Sequence, residues 1–404
     1  MLRQAGLTDV VAFERGSRIG GNWVYSSEPG HSSVLESTHL ISSRRHSGFS
    51  DYPMPDDYPD YPSHRQVLAF FERYARHFNL YPAIRLGTGV AHAEPVSGGG
   101  WSLTLEDGRP ERFDHLLVAN GHHWDPRMPA YPGEFTGQLV HAHACRAAEQ
   151  FRAQRVLVIG GGNSAADLAA EAGRVAAYAA ISVRRGYYIV PKFIFGQPPD
   201  VLNARLLWLP RAIRNRVQRL VWRLVTGGMP AYGLPKPAHA ILDAHPTVNS
   251  DLLEALRHGR VHPFPDIARF EGKTVHFVDG RAERFDTVVA ATGYRIKFPF
   301  LDPSLVDFSE GGVPLYLRVF PPGVSNLSFI GLVQPQGCIW PLAEAQAELV
   351  AQVILGRQRL PADLAGRARE DAERIRRRYT DSARHTIEVD YHEYLGRVRR
   401  EARE

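Results

Sequence analysis

Residues 156–165 read VLVIGGGNSA, and this stretch decides the fold. A buried-type apolar strand ends at Ile159, a glycine turn follows, and an alanine-rich helix is predicted over residues 164–177. A second apolar strand over residues 180–183 completes a β-α-β unit. This order of strand, glycine turn and helix is the context that a dinucleotide-binding fingerprint requires. We therefore predict an α/β fold built on a parallel sheet.

The small residues of the turn each have a physical role in holding a nucleotide. Gly160 permits the tight turn, Gly162 lets the backbone approach a pyrophosphate, and Ala165 lets the helix and strand pack closely. The helix N-terminus supplies backbone N–H groups and a positive dipole to the phosphates. A glycine-rich turn without a ligand is the alternative, which this context disfavours. The predicted contacts with the dinucleotide are Gly160, Gly162, Asn163, Ser164 and Ala165.

Two arginines end the second strand of this unit and indicate which dinucleotide binds. An NAD site usually places an acidic side chain there, which binds the 2′-hydroxyl of the ribose. Arg184 and Arg185 instead suit a 2′-phosphate, because guanidinium groups make charge-assisted hydrogen bonds with phosphate oxygens. We therefore predict NADPH rather than NADH, while a solvating role at the strand end stays the alternative.

The first residues of the chain carry a second nucleotide signal of the opposite kind. Residues 2–6 are typical of the last turn of a helix, and an apolar strand over residues 10–13 ends at Glu14. An acid at this point favours a ribose hydroxyl, and the glycines and the indole that follow allow close approach and can cover a flat ring. One chain would then bind two dinucleotides, FAD and NADPH. The predicted FAD contacts in this segment are Glu14, Gly20, Gly21, Asn22 and Trp23.

Length and composition exclude several other classes of protein. The chain has 404 residues, 44% of them hydrophobic and 23% charged, which fits a globular enzyme of two or three domains. Its net charge of +5 is diffuse except for arginines at 211–223 and 366–378, and the second run, with glutamates interleaved, is typical of a solvated helix, so we expect no nucleic-acid partner. No apolar run approaches the roughly 20 residues of a membrane span. Two cysteines cannot form a disulfide framework, so we expect a reducing compartment, the cytoplasm by default.

Two local patterns have more than one interpretation. His122, His123, His141 and His143 lack a carboxylate or cysteine to complete a ligand set, so we expect no metal site. The basic amphipathic pattern over residues 211–225 fits a membrane-surface helix or, as we favour, a helix packed on its own domain. Further helices are predicted after Ser63 and over residues 362–378 and 391–401, and hairpins followed by apolar strands over residues 101–119 and 275–291.

Several stretches together match the pattern of one family. They are FER at 13–15 with GGNW at 20–23, FSDYPMP at 49–55, FTGQLVH at 135–141, GGGNSA at 160–165 and ATGY at 291–294. Through these motifs the chain resembles the flavin-containing monooxygenases, a family within the larger class that also includes the Baeyer-Villiger enzymes. The resemblance spans nearly the whole chain. The stretch at 135–141 corresponds to the signature of that family, Phe-x-Gly-x-x-x-His.

The resemblance implies a fold of two Rossmann-like dinucleotide-binding domains, with the NADPH domain inserted in the FAD domain. Residues 1–151 would form the first part of the FAD domain, and residues 152–287 would form the NADPH domain. Residues 288–404 would form the second part of the FAD domain and the C-terminal helices. Two apolar strands run into Gly121 and Gly293, which would be the hinges.

The resemblance also implies the reaction. NADPH would reduce FAD, dioxygen would form a C4a-hydroperoxyflavin, and one oxygen atom would pass to a soft nitrogen or sulfur nucleophile of a small molecule. Baeyer-Villiger oxygenation of a ketone is disfavoured, because Cys145 stands where those enzymes have Trp. A degenerate protein that holds NADPH without flavin chemistry is a third hypothesis, and a homo-oligomer is left open.

Two departures from the family pattern affect the expected site. Counting back from Phe49, the active-site Asn of the family aligns with Ile41, which cannot donate a hydrogen bond, and Ser42 is the candidate substitute. No catalytic side chain is therefore assigned. We also expect a strand and glycine turn, roughly 20 to 30 residues, before Met1, and weak FAD binding without them. The remaining FAD contacts that the resemblance implies are Ser42, Thr292, Gly293 and Gln334.

Overall fold

The computed structural model describes residues 1–28, 30–241, 243–308, 313–379 and 387–403. Its α-helices are Leu2–Ala5, His64–His77, Asn163–Val175, Pro199–Ala204, Arg211–Thr226, Asp251–Arg257, Trp340–Ile354, Leu364–Arg378 and Tyr391–Glu401. None of the helices in these ranges combines the length and the apolar character that crossing a membrane requires.

The sheet with the most strands in these ranges is parallel and has five. Its strand order is His262–Phe264, Tyr178–Ser182, Arg155–Ile159, Thr287–Ala290, Gln138–His141. The strand predicted to precede the glycine turn is the middle one, and its apolar run is buried, as expected of a strand covered on both faces. The helix Asn163–Val175 packs on this sheet through buried alanines and Leu168. The predicted α/β fold is confirmed.

This sheet extends beyond the residues predicted to form the inserted domain. The strand Gln138–His141 precedes residues 152–287, and the strand Thr287–Ala290 crosses the end of that range. The sheet therefore joins both ends of the predicted insertion, and the two boundaries stay a prediction.

Two three-stranded antiparallel sheets repeat one local design. Their strands are Val90–Pro95, Trp101–Leu105 and Pro110–Phe113, and Ile267–Glu271, Thr274–Phe277 and Ala282–Arg284. In each sheet the last hairpin turns through Asp-Gly, and the aspartate accepts a 3.1 Å hydrogen bond from the backbone of an arginine two residues on, Arg109 or Arg281. An apolar strand follows each sheet: Leu116–Val118, of which Val118 is buried, or Thr287–Ala290, which is buried throughout. The predicted pattern of hairpin and then strand is confirmed in both copies.

Short strand pairs complete the sheet structure. They are Ala12–Phe13 with Ile84–Arg85, Leu116–Val118 with Leu327–Phe329, Asp125–Pro126 with Tyr294–Arg295, Ile189–Val190 with Thr247–Val248, and Gln334–Pro335 with Glu388–Val389. The predicted strand over residues 10–13 is thus shorter than expected. Its partner strand, Ile84–Arg85, is also only two residues long, so pairing ends there.

Most predicted helices are present, with boundaries that shift by one or two residues. The helix after Ser63 is His64–His77, and Ser63 and Gln66 form a reciprocal capping box at its start. The sequence analysis did not predict Trp340–Ile354. Buried side chains lie around much of this helix, including the polar Glu344 and Gln346, so its sequence lacks the polar face that marks a surface helix.

Candidate active site

A cleft of about 3010 Å³ brings the predicted contacts of both dinucleotides to one space. It is lined by the glycine turn before the helix Asn163–Val175, by the segment around Glu14, and by the segment before Trp340. The predicted contacts that line it are Glu14, Gly21, Asn22, Trp23, Ser42, Gly160, Gly162, Asn163, Ser164, Arg184, Arg185, Thr292, Gly293 and Gln334. Gly20 and Ala165 are not among its lining residues.

Packing explains why Gly20 and Ala165 are small. A Cβ on Gly20 would lie 2.5 Å from Cδ1 of Leu68, so the glycine lets this turn approach the helix His64–His77. Ala165 is fully buried, and its Cβ lies 3.4 Å from the position of a Cβ on Gly160. The role predicted for Ala165, close packing of helix against strand, agrees with this geometry, whereas Gly20 lies against protein.

The glycine turn has no space for a side chain at Gly160 or Gly161. Gly160 has a φ of 138°, and a Cβ there would lie 2.4 Å from the carbonyl oxygen of Ala291. A Cβ on Gly161 would lie 2.7 Å from the ring of Tyr187. The chain turns through Gly162 directly into the helix, so the helix N-terminus opens on the cleft. A helix N-terminus that opens on a cleft can bind an anion, so this geometry is compatible with the predicted phosphate contacts.

Residues 247–249, which are distant from the turn in sequence, hold it in place through hydrogen bonds. The Thr247 hydroxyl donates to the carbonyl oxygen of Gly161 at 2.6 Å, and the backbone N–H of Val248 donates to Oδ1 of Asn163 at 2.9 Å. One residue later, the Asn249 amide donates to a carboxylate on the helix. We call residues 247–249 the clasp. The oxygen of Asn163 is therefore already engaged by protein, so Asn163 positions the turn.

The carboxylate that the clasp holds is Asp167, which lines the cleft and which the sequence analysis missed. Its pKa is raised to about 6, chiefly by burial and also by the nearby Asp251 and Glu171, while Lys192 and the hydrogen bond from Asn249 act to lower it. The spacing of four residues from Asn163 places both on one helix face, and that signal was available in the sequence. A carboxyl group with this pKa, beside the turn predicted to bind phosphate, changes charge near pH 6.

Arg184 and Arg185 are exposed and line the cleft after the strand Tyr178–Ser182. Neither forms an ion pair with a carboxylate in the described part of the chain. Their guanidinium groups are therefore available to an anion, and no carboxylate among the described residues accounts for two arginines at this strand end.

On the other side of the cleft, Glu14 and Asn22 shape the backbone. Oε1 of Glu14 accepts a 2.6 Å hydrogen bond from the N–H of Gly16. Oδ1 of Asn22 accepts from the N–H and the hydroxyl of Ser33, at 2.7 and 2.9 Å. Trp23 lies edge-on to Trp340, with 6.1 Å between ring centroids, so two indoles form part of the wall.

Ile41 and Ser42 both line the cleft, whereas Ser43 does not. The Ser42 hydroxyl shares a 2.7 Å hydrogen bond with the hydroxyl of Ser47. The neighbouring thiol of Cys338 is also part of the lining, and burial raises its pKa to about 11. Ser42 is thus the polar group next to Ile41, and Cys338 is a lining residue that the sequence analysis did not identify.

The predicted hinge at Gly293 is tied to the signature stretch. Nδ1 of His141 accepts from the N–H of His143 at 3.0 Å, so Nε2 carries the proton and donates to the carbonyl oxygen of Gly293, also at 3.0 Å. Cys145 is buried outside the lining of the cleft, and burial raises its pKa to about 11. No three metal-ligating side chains converge within the ranges described.

The remaining predicted contacts lie at the ends of strands. The Thr292 hydroxyl donates to the carbonyl oxygen of Arg127. Gln334 begins the strand paired with Glu388–Val389, and its backbone N–H donates to Ile387 at 2.8 Å. The structure thus brings these residues to the cleft through strand ends from separate parts of the chain.

Comparisons with known proteins agree with this geometry. A model of the family described as flavin-binding monooxygenase-like matches residues 4–402. Flavin-containing monooxygenase 5 of Rattus norvegicus is 36% identical over 407 residues, which cover 94% of this chain and 76% of that protein. Dimethylaniline monooxygenase (N-oxide-forming) 2 of Rattus norvegicus is 33% identical over 410 residues, covering 95% and 76%.

Solved structures give the same result. The structure of S-allyl-L-cysteine S-oxygenase from Allium sativum superposes with a TM-score of 0.73 at 26% identity, covering 99% of this chain and 84% of that one. The family match spans nearly all of the chain, and the relatives exceed 30% identity over most of it. The chain therefore belongs to the flavin-binding monooxygenase-like family and is an oxidoreductase whose cofactors are FAD and NADPH.

Proposed function

We propose that this enzyme transfers one oxygen atom of O2 to a soft nitrogen or sulfur nucleophile of a small molecule. Substrate, O2, NADPH and one proton would give oxygenated substrate, water and NADP⁺. The names of two similar proteins, one N-oxide-forming and one an S-oxygenase, support this chemistry. A nucleophile of this kind attacks with its own lone pair, so the site needs no side chain to remove a proton from it.

The observation that carries the proposal is the continuity of the cleft. The glycine turn at Gly160 and the segment at Glu14 line the same space, as do the side chains of Ile41 and Trp340. A nicotinamide and a flavin held at these two ends can meet within that space. Contact between the two rings is the first requirement of a reaction that begins with hydride transfer.

The turn and helix N-terminus fit the pyrophosphate of NADPH. The absence of space for a Cβ at Gly160 keeps the backbone close to the helix start, where N–H groups face the cleft. Arg184 and Arg185 would bind the 2′-phosphate, since neither is engaged by a described carboxylate. We assign these contacts to a domain made mainly of residues 152–287.

The opposite end of the cleft fits FAD, which supplies the activated oxygen once NADPH has reduced it. Glu14 uses Oε1 to hold its own turn, which leaves Oε2 for a ribose hydroxyl. Gly21 has a φ of 51° and lines the cleft without a side chain. The other residues assigned to FAD are Asn22, Trp23, Ser42, Thr292, Gly293 and Gln334.

Product analysis tests the proposal. The full chain is supplied with FAD, NADPH and O2, and then with a tertiary amine, a thioether or a cyclic ketone in separate reactions. We expect the amine N-oxide or the sulfoxide, each heavier than its substrate by one oxygen atom, and 18O from labelled O2 in the product. Conversion of the ketone to a lactone with no oxidation of the amine or thioether would overturn the proposal in favour of Baeyer-Villiger chemistry.

A further inference from the structure

One buried arginine lines the cleft without an acid beside it. Arg146 is 6% exposed, whereas Arg184 and Arg185, which line the same space, are exposed. Among the described residues, no carboxylate oxygen lies within 4.0 Å of its guanidinium group. A buried charge is costly unless it is paired, because it has lost the water around it. The described part of the chain therefore leaves the charge of Arg146 uncompensated.

The other buried arginines of the described residues each have an acidic neighbour. Arg214 lies 3.7 Å from a carboxylate oxygen of Asp390. Burial lowers the pKa of Arg318 to about 10, and the carboxylate of Asp371 opposes that shift. Burial also lowers the pKa of Arg146, but the groups that oppose the shift there are a thiol and two phenols. Arg146 thus differs from the two arginines whose buried charge the protein itself balances.

Backbone carbonyl oxygens hold the guanidinium group of Arg146 in one orientation. Nε donates to the oxygen of Glu28 at 3.1 Å, and Nη1 donates to those of His143 and Cys145 at 2.8 and 3.0 Å. Nη2 has no acceptor among the described residues, and it is not enclosed by protein, so it faces the cleft. Its two N–H groups are therefore open to a ligand that enters this space.

The hydroxyl of Tyr294 offers a second donor near Arg146. Tyr294 lines the cleft, and burial raises the pKa of its hydroxyl, while the Ser33 hydroxyl and the charge of Arg146 oppose the rise. The phenol therefore keeps its proton at neutral pH and can donate it to an oxygen. Nδ1 of His143 lies 3.4 Å from this hydroxyl, at the long end of hydrogen-bond distances, so a closer acceptor would compete for the proton.

Arg146 is joined to the segment that carries Ile41. The backbone N–H of Glu36 donates to the carbonyl oxygen of Arg146 at 2.8 Å. Ile41 is five residues further along the chain, and a segment of that length spans at most about 18 Å. Arg146 and Ile41 both line the cleft. A small molecule can therefore contact Arg146 while its reacting atom lies near Ile41.

We propose that Arg146 binds the carboxylate of the substrate, so that this enzyme prefers thioethers and amines that carry an acid group. The proposal rests on the oxygen transfer proposed above. A carboxylate has two oxygens, one for Nη2 of Arg146 and one for the hydroxyl of Tyr294, and charge-assisted hydrogen bonds are about twice as strong as neutral ones. The acid group also balances the buried charge of Arg146. It leaves the sulfur or nitrogen lone pair free to react.

The phosphates of NADPH are another source of negative charge in this cleft. The proposed function assigns them to the helix N-terminus after Gly162 and to Arg184 and Arg185. Arg146 follows Gln138–His141, an edge strand of the five-stranded sheet. This strand lies two strands from the one before the glycine turn, on the side opposite to the strand before Arg184. The position of Arg146 therefore favours a substrate over the 2′-phosphate.

Oxidation rates of matched acids and amides test the proposal. The full chain is supplied with FAD, NADPH and O2, and with methylthioacetate or methylthiobutanoate, each compared with its own primary amide. The variants are Arg146→Gln, which removes the charge, and Arg146→Lys, which keeps it. The matched control is Arg152→Gln, which loses an exposed ion pair with Glu149 outside the lining of the cleft. Calorimetric titration of methylthiobutanoate into the chain with FAD, in the absence of NADPH, measures binding without oxygen transfer.

We expect the unmutated chain and the Arg152→Gln control to have a higher kcat/KM for the acid than for its amide. The loss of hydrogen bonds to a charged group in Arg146→Gln should lower kcat/KM for the acid at least about tenfold and leave that for the amide nearly unchanged. The change should lie mainly in KM, because the carboxylate is bound equally in the ground state and the transition state. Arg146→Lys should keep part of the preference, and calorimetry should show weaker binding of the acid to Arg146→Gln.

Equal kcat/KM for acid and amide in the unmutated chain, with both acids, would overturn the proposal, as would unchanged calorimetric affinity of Arg146→Gln for the acid. Weaker NADPH binding by Arg146→Gln, with the preference for the acid intact, would assign Arg146 to a phosphate instead. If neither thioether is oxidised, the proposed function fails, and calorimetry alone decides whether Arg146 binds a carboxylate. Retained oxidation of the amide shows that Arg146→Gln is folded. If that activity is lost as well, the preference of the unmutated chain and of Arg146→Lys decides.

Discussion

The side-chain amide of Asn249 donates a 2.7 Å hydrogen bond to Oδ1 of Asp167 across 82 residues of sequence. The same asparagine accepts a 2.7 Å bond from the N–H of Leu252, so it joins the helix Asn163–Val175 to the start of the helix Asp251–Arg257. Its neighbours Thr247 and Val248 hold the glycine turn itself, through hydrogen bonds to Gly161 and Asn163. The shape of the glycine turn thus depends on a segment outside the motif.

Replacement of Asn249 by Ala should therefore weaken NADPH binding, although Asn249 is not among the residues assigned to contact NADPH. The variant leaves the Asp167 carboxylate and the Leu252 N–H without their partners, and a buried polar group left unpaired costs about 1 to 3 kcal/mol. We expect a lower melting temperature and a KM for NADPH raised about tenfold, since part of that cost falls on the turn. Asn326→Ala, which loses a bond to the carbonyl oxygen of Asp114, is the control. A KM equal to that of the control would contradict the positioning role.

The raised pKa of Asp167 should make the stability of the folded chain depend on pH. Burial raises its pKa from 3.8 to about 6, so the folded chain binds this proton more tightly than the unfolded chain. The ionised group therefore lowers stability above about pH 6, by up to about 3 kcal/mol, and this penalty fades as the pH falls through 6 toward 4.

Asp167→Asn keeps an oxygen that can accept from Asn249 and removes the charge. Its melting temperature should exceed that of the unmutated chain at pH 8, and the difference should shrink at pH 5. Asp57→Asn, at an exposed position, should show no such trend. A difference that stays constant between pH 5 and pH 8 would show that Asp167 does not titrate in this range.

The sequence predicted the local part of this site better than the part built from distant segments. The glycine turn, the arginines at 184 and 185 and the acid at Glu14 follow strands and turns whose patterns lie within about ten residues. The clasp could not be predicted, because Thr247 reaches Gly161 across 86 residues and a hydroxyl has no periodic signature. Gly20 was predicted to contact FAD because the sequence shows only that a glycine is required there. It does not show whether the space beside that glycine is filled by a ligand or, as in the structure, by the side chain of Leu68.

The preference for NADPH should depend on Arg184 and Arg185. Each charge-assisted hydrogen bond to a phosphate contributes about 1.5 to 3 kcal/mol. Changing both to Gln should therefore weaken NADPH binding at least about tenfold per arginine and leave NADH binding nearly unchanged. Titration of each nucleotide against the full chain measures both constants. The control is Arg260→Gln, which loses a surface ion pair with Glu254. Equal affinity of the unmutated chain for NADH and NADPH would refute the assignment.

Ile41 should make the enzyme lose part of its NADPH without oxygenating substrate, because this apolar side chain lines the cleft at the position where the resemblance to the family implies an amide donor. The only polar neighbour assigned to this point, Ser42, already shares its hydroxyl with Ser47 at 2.7 Å. We therefore expect a large fraction of the NADPH consumed to appear as hydrogen peroxide.

The variant Ile41→Asn adds an amide at the lining of the cleft, and one hydrogen bond of about 1 kcal/mol would slow the formation of hydrogen peroxide about fivefold. Ile41→Leu, similar in volume and without a donor, is the matched control. The measurement is peroxide formed per NADPH oxidised, with and without an amine or thioether. A ratio that falls in Ile41→Asn and not in Ile41→Leu supports the hydrogen-bonding role, and an equal ratio in both variants and the unmutated chain would show that position 41 does not govern the fate of the oxygen.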